Sequence, residues 1–256
     1  MAALTRRAKR YRPPPPRSET VSPASLVEEC ILVLSLSLLA SAVYAIISLT
    51  SAPLKGATVF VVPQVGLATQ FANFAFGLAP VWLVVFLLRR RSGEGVGQIG
   101  LALNRPGRDL ASGVVLSAIV GAAGIGIYLV SVAFGVNRFV VPVPPLGHWW
   151  TIPVLLLNAA QAALLEEVIV VGYLITRLQQ LRLSEPAAVG ASALLRGAYH
   201  LYQGWGGFAG NLALGLFFGL FFTRTRRTWP LVVAHFLLDV GAGVGYILFR
   251  THLPGS

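Results

Sequence analysis

Seven runs of apolar residues, separated by short polar or glycine-rich stretches, dominate this chain of 256 residues. They cover roughly 26–49, 71–88, 110–134, 151–178, 186–202, 208–222 and 230–249. A bilayer core about 30 Å thick is crossed by about 20 apolar helical residues, so each run predicts a transmembrane helix. The fifth and sixth runs are short, and only Gln-Gly-Trp-Gly-Gly at 203–207 separates them. Trp149, Trp150, Trp205 and Trp229 stand at run ends, where an amphipathic ring suits the headgroup layer. The pattern predicts an all-α, polytopic membrane protein of about seven transmembrane helices enclosing a buried polar chamber.

Composition agrees. Charged residues make up 11% of the chain, against roughly 25% in an ordinary soluble domain. Mean hydropathy is +0.73, which excludes a disordered chain. A lone cysteine, Cys30, excludes a disulfide framework and a Cys-rich zinc site. The net charge of +11 raises the question of nucleic acid, and the placement of the basic residues answers it. Sixteen of the 20 Lys and Arg residues lie before the first run, between the second and third, after the fourth or after the sixth. Lys55, Arg138 and Arg250 fall on the opposite side, and Arg196 lies within the fifth run. The asymmetry predicts a cytoplasmic N-terminus and an outside C-terminus, with no nucleic-acid partner. An Ala- and Arg-rich, lysine-poor composition suggests a bacterial plasma membrane.

The expected organisation is a disordered, basic, Pro-rich cytoplasmic tail over 1–25, three transmembrane helices over 26–149, a helical core over 150–250 and a short tail over 251–256. The first apolar run is too long for a signal peptide and reads as an uncleaved anchor. Gly215 and Gly219 form a small-xxx-small pair that lets helices pack closely.

Candidate chemistry lies in the ionisable groups within the runs: Glu166, Glu167, Asp239, His200, His235 and Arg196. One charge at a transmembrane helix centre costs about 2.5–3.5 kcal/mol on insertion scales. These groups must therefore face one another, water or a metal, or be neutral. Glu166 and Glu167 are about 100° apart on an α-helix, so only one points squarely at any single partner. His235 and Asp239 are at i and i+4 on one face, as are Arg196 and His200. If the three faces converge, the set suits water activation. A carboxylate acts as base and then acid beside an imidazole, while the second imidazole and Asp239 bind or orient the carbonyl as it becomes an oxyanion. Alternatively Glu166, His200 and His235 ligate a zinc ion with an open water position. The His-Glu-x-x-His signature is absent, so a divalent metal is not demanded and the cofactor question stays open. Glu28 and Glu29, at the lip of the first run, read as a solvated interfacial pair. Tyr199 and Tyr202 read as lining or capping the fifth helix, and Asn158 and Gln161 as interhelical glue.

Glu166-Glu167 followed by Gly172-Tyr173-Leu174, then His200-Leu201-Tyr202-Gln203-Gly204, Trp229-Pro230 and His235-x-x-x-Asp239 resemble the CAAX-processing and bacteriocin-processing (Abi) family of intramembrane endopeptidases. The resemblance covers about 151–245. It implies a helical fold with a polar chamber opening to the membrane, and hydrolysis of a peptide bond in a membrane-associated protein or peptide. Carried over by position, Glu166 activates water with His200, and His235 and Asp239 stabilise the oxyanion. Glutamate-type and metal-assisted accounts both exist for the family. The chain departs from the pattern twice. Val171 stands where the family has Arg, and Arg196 where it usually has Phe. Arg196 is therefore expected to replace the missing Arg and hold Glu166 or Glu167 ionised. Two competing classes are an inactive scaffold or immunity-type binder of the same fold, and a proton-coupled transporter. The latter predicts an internal repeat that the sequence lacks. One tension remains. Straight full-height helices would not bring Glu166, His200 and His235 level, so the hairpin of the fifth and sixth runs must sit sunk within the protein.

Overall fold

The computed structural model describes residues 22–51, 58–60, 66–90 and 93–252. Most of the basic tail, Lys55, Arg91 and the last four residues lie outside the described residues. The first apolar run forms two helices. Helix α1 (Pro23–Ser35) starts at Ser22, whose hydroxyl accepts from the Ser25 amide, with Pro23 pre-set in its first turn. It stops at Leu36–Ser37, where the Ser37 hydroxyl donates to the Val33 carbonyl at 2.6 Å. That back-bond competes with helix continuation. Helix α2 (Leu38–Ser51) follows.

Helices α3 (Leu67–Gly77) and α4 (Ala79–Arg90) run on through a single turn residue, Leu78. Helix α5 (Pro106–Ala133) is 28 residues long. Next comes a continuous stretch over Thr151–Gln180, made of α6 (Thr151–Glu166), a π-helical segment (Glu167–Tyr173) and α7 (Leu174–Gln180). Helix α8 (Glu185–Tyr199) starts on the Ser184 cap with Pro186 inside its first turn. Helices α9 (Trp205–Thr225) and α10 (Trp229–Phe249) complete the bundle. The described residues also include a small parallel ribbon, β1 (Thr58–Phe60) on β2 (Phe139–Val141).

Among the described residues, five helices are long and apolar enough to cross a membrane: 67–90, 106–131, 151–180, 205–225 and 229–249. The protein is an integral membrane protein, and the expected count of seven is not reached for two physical reasons. The first run is broken at Ser37 into helices of 13 and 14 residues. The fifth run, α8, has only 15 residues, about 22 Å at 1.5 Å per residue.

The Thr151–Gln180 stretch is the axis of the bundle. Half of its apolar window is buried, against 11–28% for the other four. Apart from Glu167, its π segment carries no charge, and every residue of it is buried. Val168 and Ile169 pack with Cys30, Val33, Val84, Leu88 and Ile99 on the side of α1 and α4. Val171 packs with Leu116, Val189, Phe218 and Leu231 on the side of α5, α8, α9 and α10. Helix α8 lies against α9, and α10 against α5 and α6. The small-residue pair fulfils its expected packing role. A Cβ on Gly215 would come within 2.8 Å of the Ala193 Cα, and one on Gly219 within 2.8 Å of Val189 Cγ1. Without side chains there, α9 admits the backbone of α8.

Candidate active site

Three helices contribute, and each placement has a local cause. The α-helical ladder of α6 gives way to π-helical winding at Glu167, directly after Glu166. Such insertions are rare, re-aim the side chains that follow, and occur frequently at functional sites. The Ser192 hydroxyl of α8 donates to the Val170 carbonyl at 2.7 Å and ties the π segment to α8. One and two turns further along α8 come Arg196 and the helix end at His200.

Arg196, 1% exposed, is the hub. Its Nη1 donates to Glu167 Oε1 at 2.7 Å, and its Nη2 lies 3.3 Å from Glu166 Oε2. Both adjacent glutamates therefore reach one partner, contrary to the expectation from α-helical spacing. The guanidinium fork has five donors and spans the pair, and the π winding begins between them. The arginine stem runs past Gly215, and its Cζ sits 5.5 Å from the centre of the Phe218 ring. Val171, where the family has Arg, is fully buried in the apolar cluster.

His235 of α10 completes the buried part. Its Nδ1 is 2.7 Å from Glu167 Oε1, an oxygen that already accepts from Arg196. A carboxylate oxygen in that position accepts again, so Nδ1 carries the proton. The 3.3 Å approach of Arg196 Nη2 to the same Nδ1 is then a contact between two donors. On the other side of the ring, Nε2 lies 3.5 Å from Asp239 Oδ2. The Asp239 side chain is 40% exposed and forms the open edge of the site. Glu167 is wholly buried, and its Oε2 has no hydrogen-bond partner.

His200 stands where α8 ends. Its Nδ1 is 2.9 Å from the Arg196 carbonyl, which can only accept, so Nδ1 holds the proton and Nε2 keeps its lone pair. The ring is flanked by Tyr199 and Tyr202, with centroids at 4.7 and 6.0 Å. Sequence reasoning treated Tyr199 as lining. Its hydroxyl donates to Glu166 Oε2 at 2.8 Å. The signal available was its spacing: Ser192, Arg196 and Tyr199 recur along one face of α8. Ser192 was missed, because a small polar residue in a helix carries no mark of its partner.

The α8–α9 turn is covered by protein. The Arg138 amide donates to the Gln203 carbonyl at 2.8 Å, its Nη1 to the Tyr202 carbonyl at 3.1 Å, and Asn137 Oδ1 accepts from the Gly207 amide at 2.9 Å. The hairpin is thus roofed by the loop after α5, while Trp205 itself remains 56% exposed. Arg138, expected as an outside loop charge, is buried in that roof. Gly204, at φ +99, is needed here, since a Cβ would stand 2.6 Å from the Val136 carbonyl oxygen.

Glu29 corrects the expectation of a solvated pair at 28–29. It is 1% exposed and accepts from Arg177 Nη2 at 3.0 Å and from the Tyr173 hydroxyl at 2.7 Å. Glu28 alone faces outward. Burial there is set by the packing of α1 on α7 and not by distance from the run's end.

The donor sets for a metal differ from the expected one. Among the described residues, Glu166, Glu167 and His235 each offer a ligand atom within 4.8 Å of the others, and His200 is not in that group. The group does not fit a divalent ion as arranged. The Arg196 guanidinium touches all three of its members, and the His235 nitrogen nearest the carboxylates is a donor.

The family model for type II CAAX prenyl endopeptidase Rce1-like proteins matches residues 148–241. Residues 148–241 are therefore similar to the Rce1-like family. The match takes in well under half of the chain, and Glu166, Glu167, Arg196, His200, His235 and Asp239 all lie within it. No curated protein and no solved structure matches the chain. The matched region begins just before α6 and ends within α10, so its two edges are the two helices that carry Glu166 and His235.

Proposed function

We propose that the protein is an intramembrane endopeptidase that hydrolyses a peptide bond of a membrane-associated protein or peptide, with water activated by Glu166 and His200. The similarity to the Rce1-like family supports the reaction class. The observation that carries the assignment of the base is the His200 tautomer: Nδ1 is committed to the Arg196 carbonyl, which leaves Nε2 to accept from water.

Glu166 Oε2 is held by Tyr199 and Arg196, and Oε1 is left to hold the same water. The water attacks the scissile carbonyl as its proton passes to Glu166 or His200. That proton then goes to the leaving amine. His235 donates at Nδ1 to Glu167, and its Nε2, beside Asp239, faces the open edge. With a carboxylate on either side, the ring can carry both protons and offer Nε2–H to the developing oxyanion. Asp239 orients that ring, while Arg196 and Glu167 are positioning residues. The low dielectric around the buried groups makes their contacts stronger than they would be in water. The protein sits in a bacterial plasma membrane with its N-terminus cytoplasmic and its C-terminus outside, a reading supported by the uneven distribution of basic residues.

The test compares newly formed protein termini in cells producing wild type or Glu166→Gln at equal membrane levels. Termini present with wild type and absent with the variant are expected. Identical sets of termini would leave a non-catalytic scaffold as the function.

A further inference from the structure

Three potential ligands surround one point: Glu166, Glu167 and His235, with donor atoms within 4.8 Å of one another. The group filling that point is an arginine. The Arg196 guanidinium lies 2.7 Å from Glu167 Oε1, 3.3 Å from Glu166 Oε2 and 3.3 Å from His235 Nδ1. It arrives from a different helix, α8, and contacts every member of the set. Two atoms show that the cage is not fully used by this arrangement. Glu167 Oε2 is buried and has no hydrogen-bond partner, and Arg196 Nε is buried in the same state.

We propose that Arg196 is a built-in organic cation occupying a latent divalent-metal site, so that the wild-type chain excludes metal and removal of the guanidinium opens a site made of Glu166, Glu167 and His235. The physical basis is competition for one place. A divalent ion among these ligands would stand beside a fixed positive charge in a low-dielectric interior, where like charges repel strongly. It would also have to displace the proton that His235 Nδ1 donates to Glu167, because a metal-bound imidazole nitrogen is unprotonated. Removing the guanidinium eliminates the repulsion and leaves two buried carboxylates uncompensated. A carboxylate–carboxylate–imidazole set suits Zn2+ or Co2+. This inference concerns what the cage binds and needs no proteolysis, so it can fail while the proposed peptidase stands, and the reverse.

The probe is Co2+, added to the purified full chain in detergent after chelator treatment and removal of the chelator. Uptake is read by equilibrium dialysis and by the visible absorption of four-coordinate cobalt. The variants are Arg196→Ala and Arg196→His, the second supplying a further imidazole from α8. About one Co2+ per variant chain is expected, abolished by adding His235→Ala, with wild type binding at least ~100-fold more weakly. Wild type taking up a stoichiometric Co2+ that is lost in His235→Ala overturns the proposal. So do folded variants that take up none. A variant that folds only when prepared with Co2+ counts in favour. Variants that neither fold nor bind under either condition count against it.

Discussion

Arg177 and Arg196 are each 1% exposed, and each grips two glutamates. Around Arg177 two acids and a glutamine are joined in one network. Glu29 comes from α1, Glu94 follows α4, and Gln180 donates to Glu94 at 2.6 Å while accepting from Arg177 at 2.7 Å. Tyr173 adds its hydroxyl, and no imidazole is present among these contacts. The cluster ties three separate parts of the chain together. Around Arg196 the carboxylates are adjacent in sequence, His235 donates to one of them, His200 bonds the Arg196 carbonyl, and the 40% exposed Asp239 side chain opens one side. A buried arginine with two acids is thus no mark of a reaction site. What distinguishes the second cluster is the His200 imidazole, whose Nε2 keeps its lone pair, together with a partly exposed acid, Asp239, at its edge.

The sharpest way to break this contrast is to neutralise one acid in each cluster. Glu166→Gln is expected to cut the appearance of cleaved termini per folded molecule by about 10^2–10^4-fold, the range for loss of a general base. Glu29→Gln is expected to leave cleavage per folded molecule intact. Equal loss of cleavage in both would erase the distinction.

Next in size is Arg177→Met. Removing one partner of a buried pair costs about 3–5 kcal/mol, because a charge is left uncompensated. Thermal unfolding in detergent is expected to show that loss, with cleavage by the surviving folded fraction retained. A stable but inactive Arg177→Met protein would place this cluster in the reaction.

The two tyrosines sharpen the comparison further. Tyr199 donates to Glu166 at 2.8 Å and Tyr173 to Glu29 at 2.7 Å. A hydrogen bond to a charged group contributes about 1.5–3 kcal/mol. Tyr199→Phe is expected to express that energy as roughly a ten-fold or greater loss of cleavage, and Tyr173→Phe as lower stability with cleavage kept. Reciprocal results would exchange the roles of the two clusters.

The smallest effect is expected at Gly215. A Cβ there meets Ala193 Cα at 2.8 Å and Arg196 Cδ at 3.3 Å. Overpacking of this kind costs about 1–3 kcal/mol. Gly215→Ala is therefore expected to lower the melting temperature and, by shifting α8, to weaken cleavage as well. Lost stability with untouched cleavage would separate the α8–α9 packing from the site.

Much of this was legible in the residues. The apolar runs and the inventory of ionisable groups within them follow from composition and length, and the i, i+4 pairs on α8 and α10 follow from helical spacing. Other features were not legible, for identifiable reasons. Ser37 breaks the first run through a hydroxyl bond to its own helix, which hydropathy does not register. Arg177, Arg226 and Arg227 sit in segments that read as cytoplasmic loop charges, yet each makes tertiary bonds. Arg226 reaches the Gln98 carbonyl, Gln179 and Thr176, and Arg227 pairs with Asp109. The same positive charge serves the membrane-orientation pattern and the packing, and only the second use depends on what lies opposite.

The chain by itself determined that helices would form, that they would be apolar enough for a bilayer, and which few residues could carry charge inside it. Those properties depend on local composition and on the cost of exposing polar groups to hydrocarbon. Which acid meets which arginine was decided only by the tertiary structure. Helical spacing fixes a side chain's direction relative to its own axis, whereas a partner depends on how axes are rotated, where a π segment re-aims the side chains after Glu166, and where glycines let α8 approach α9.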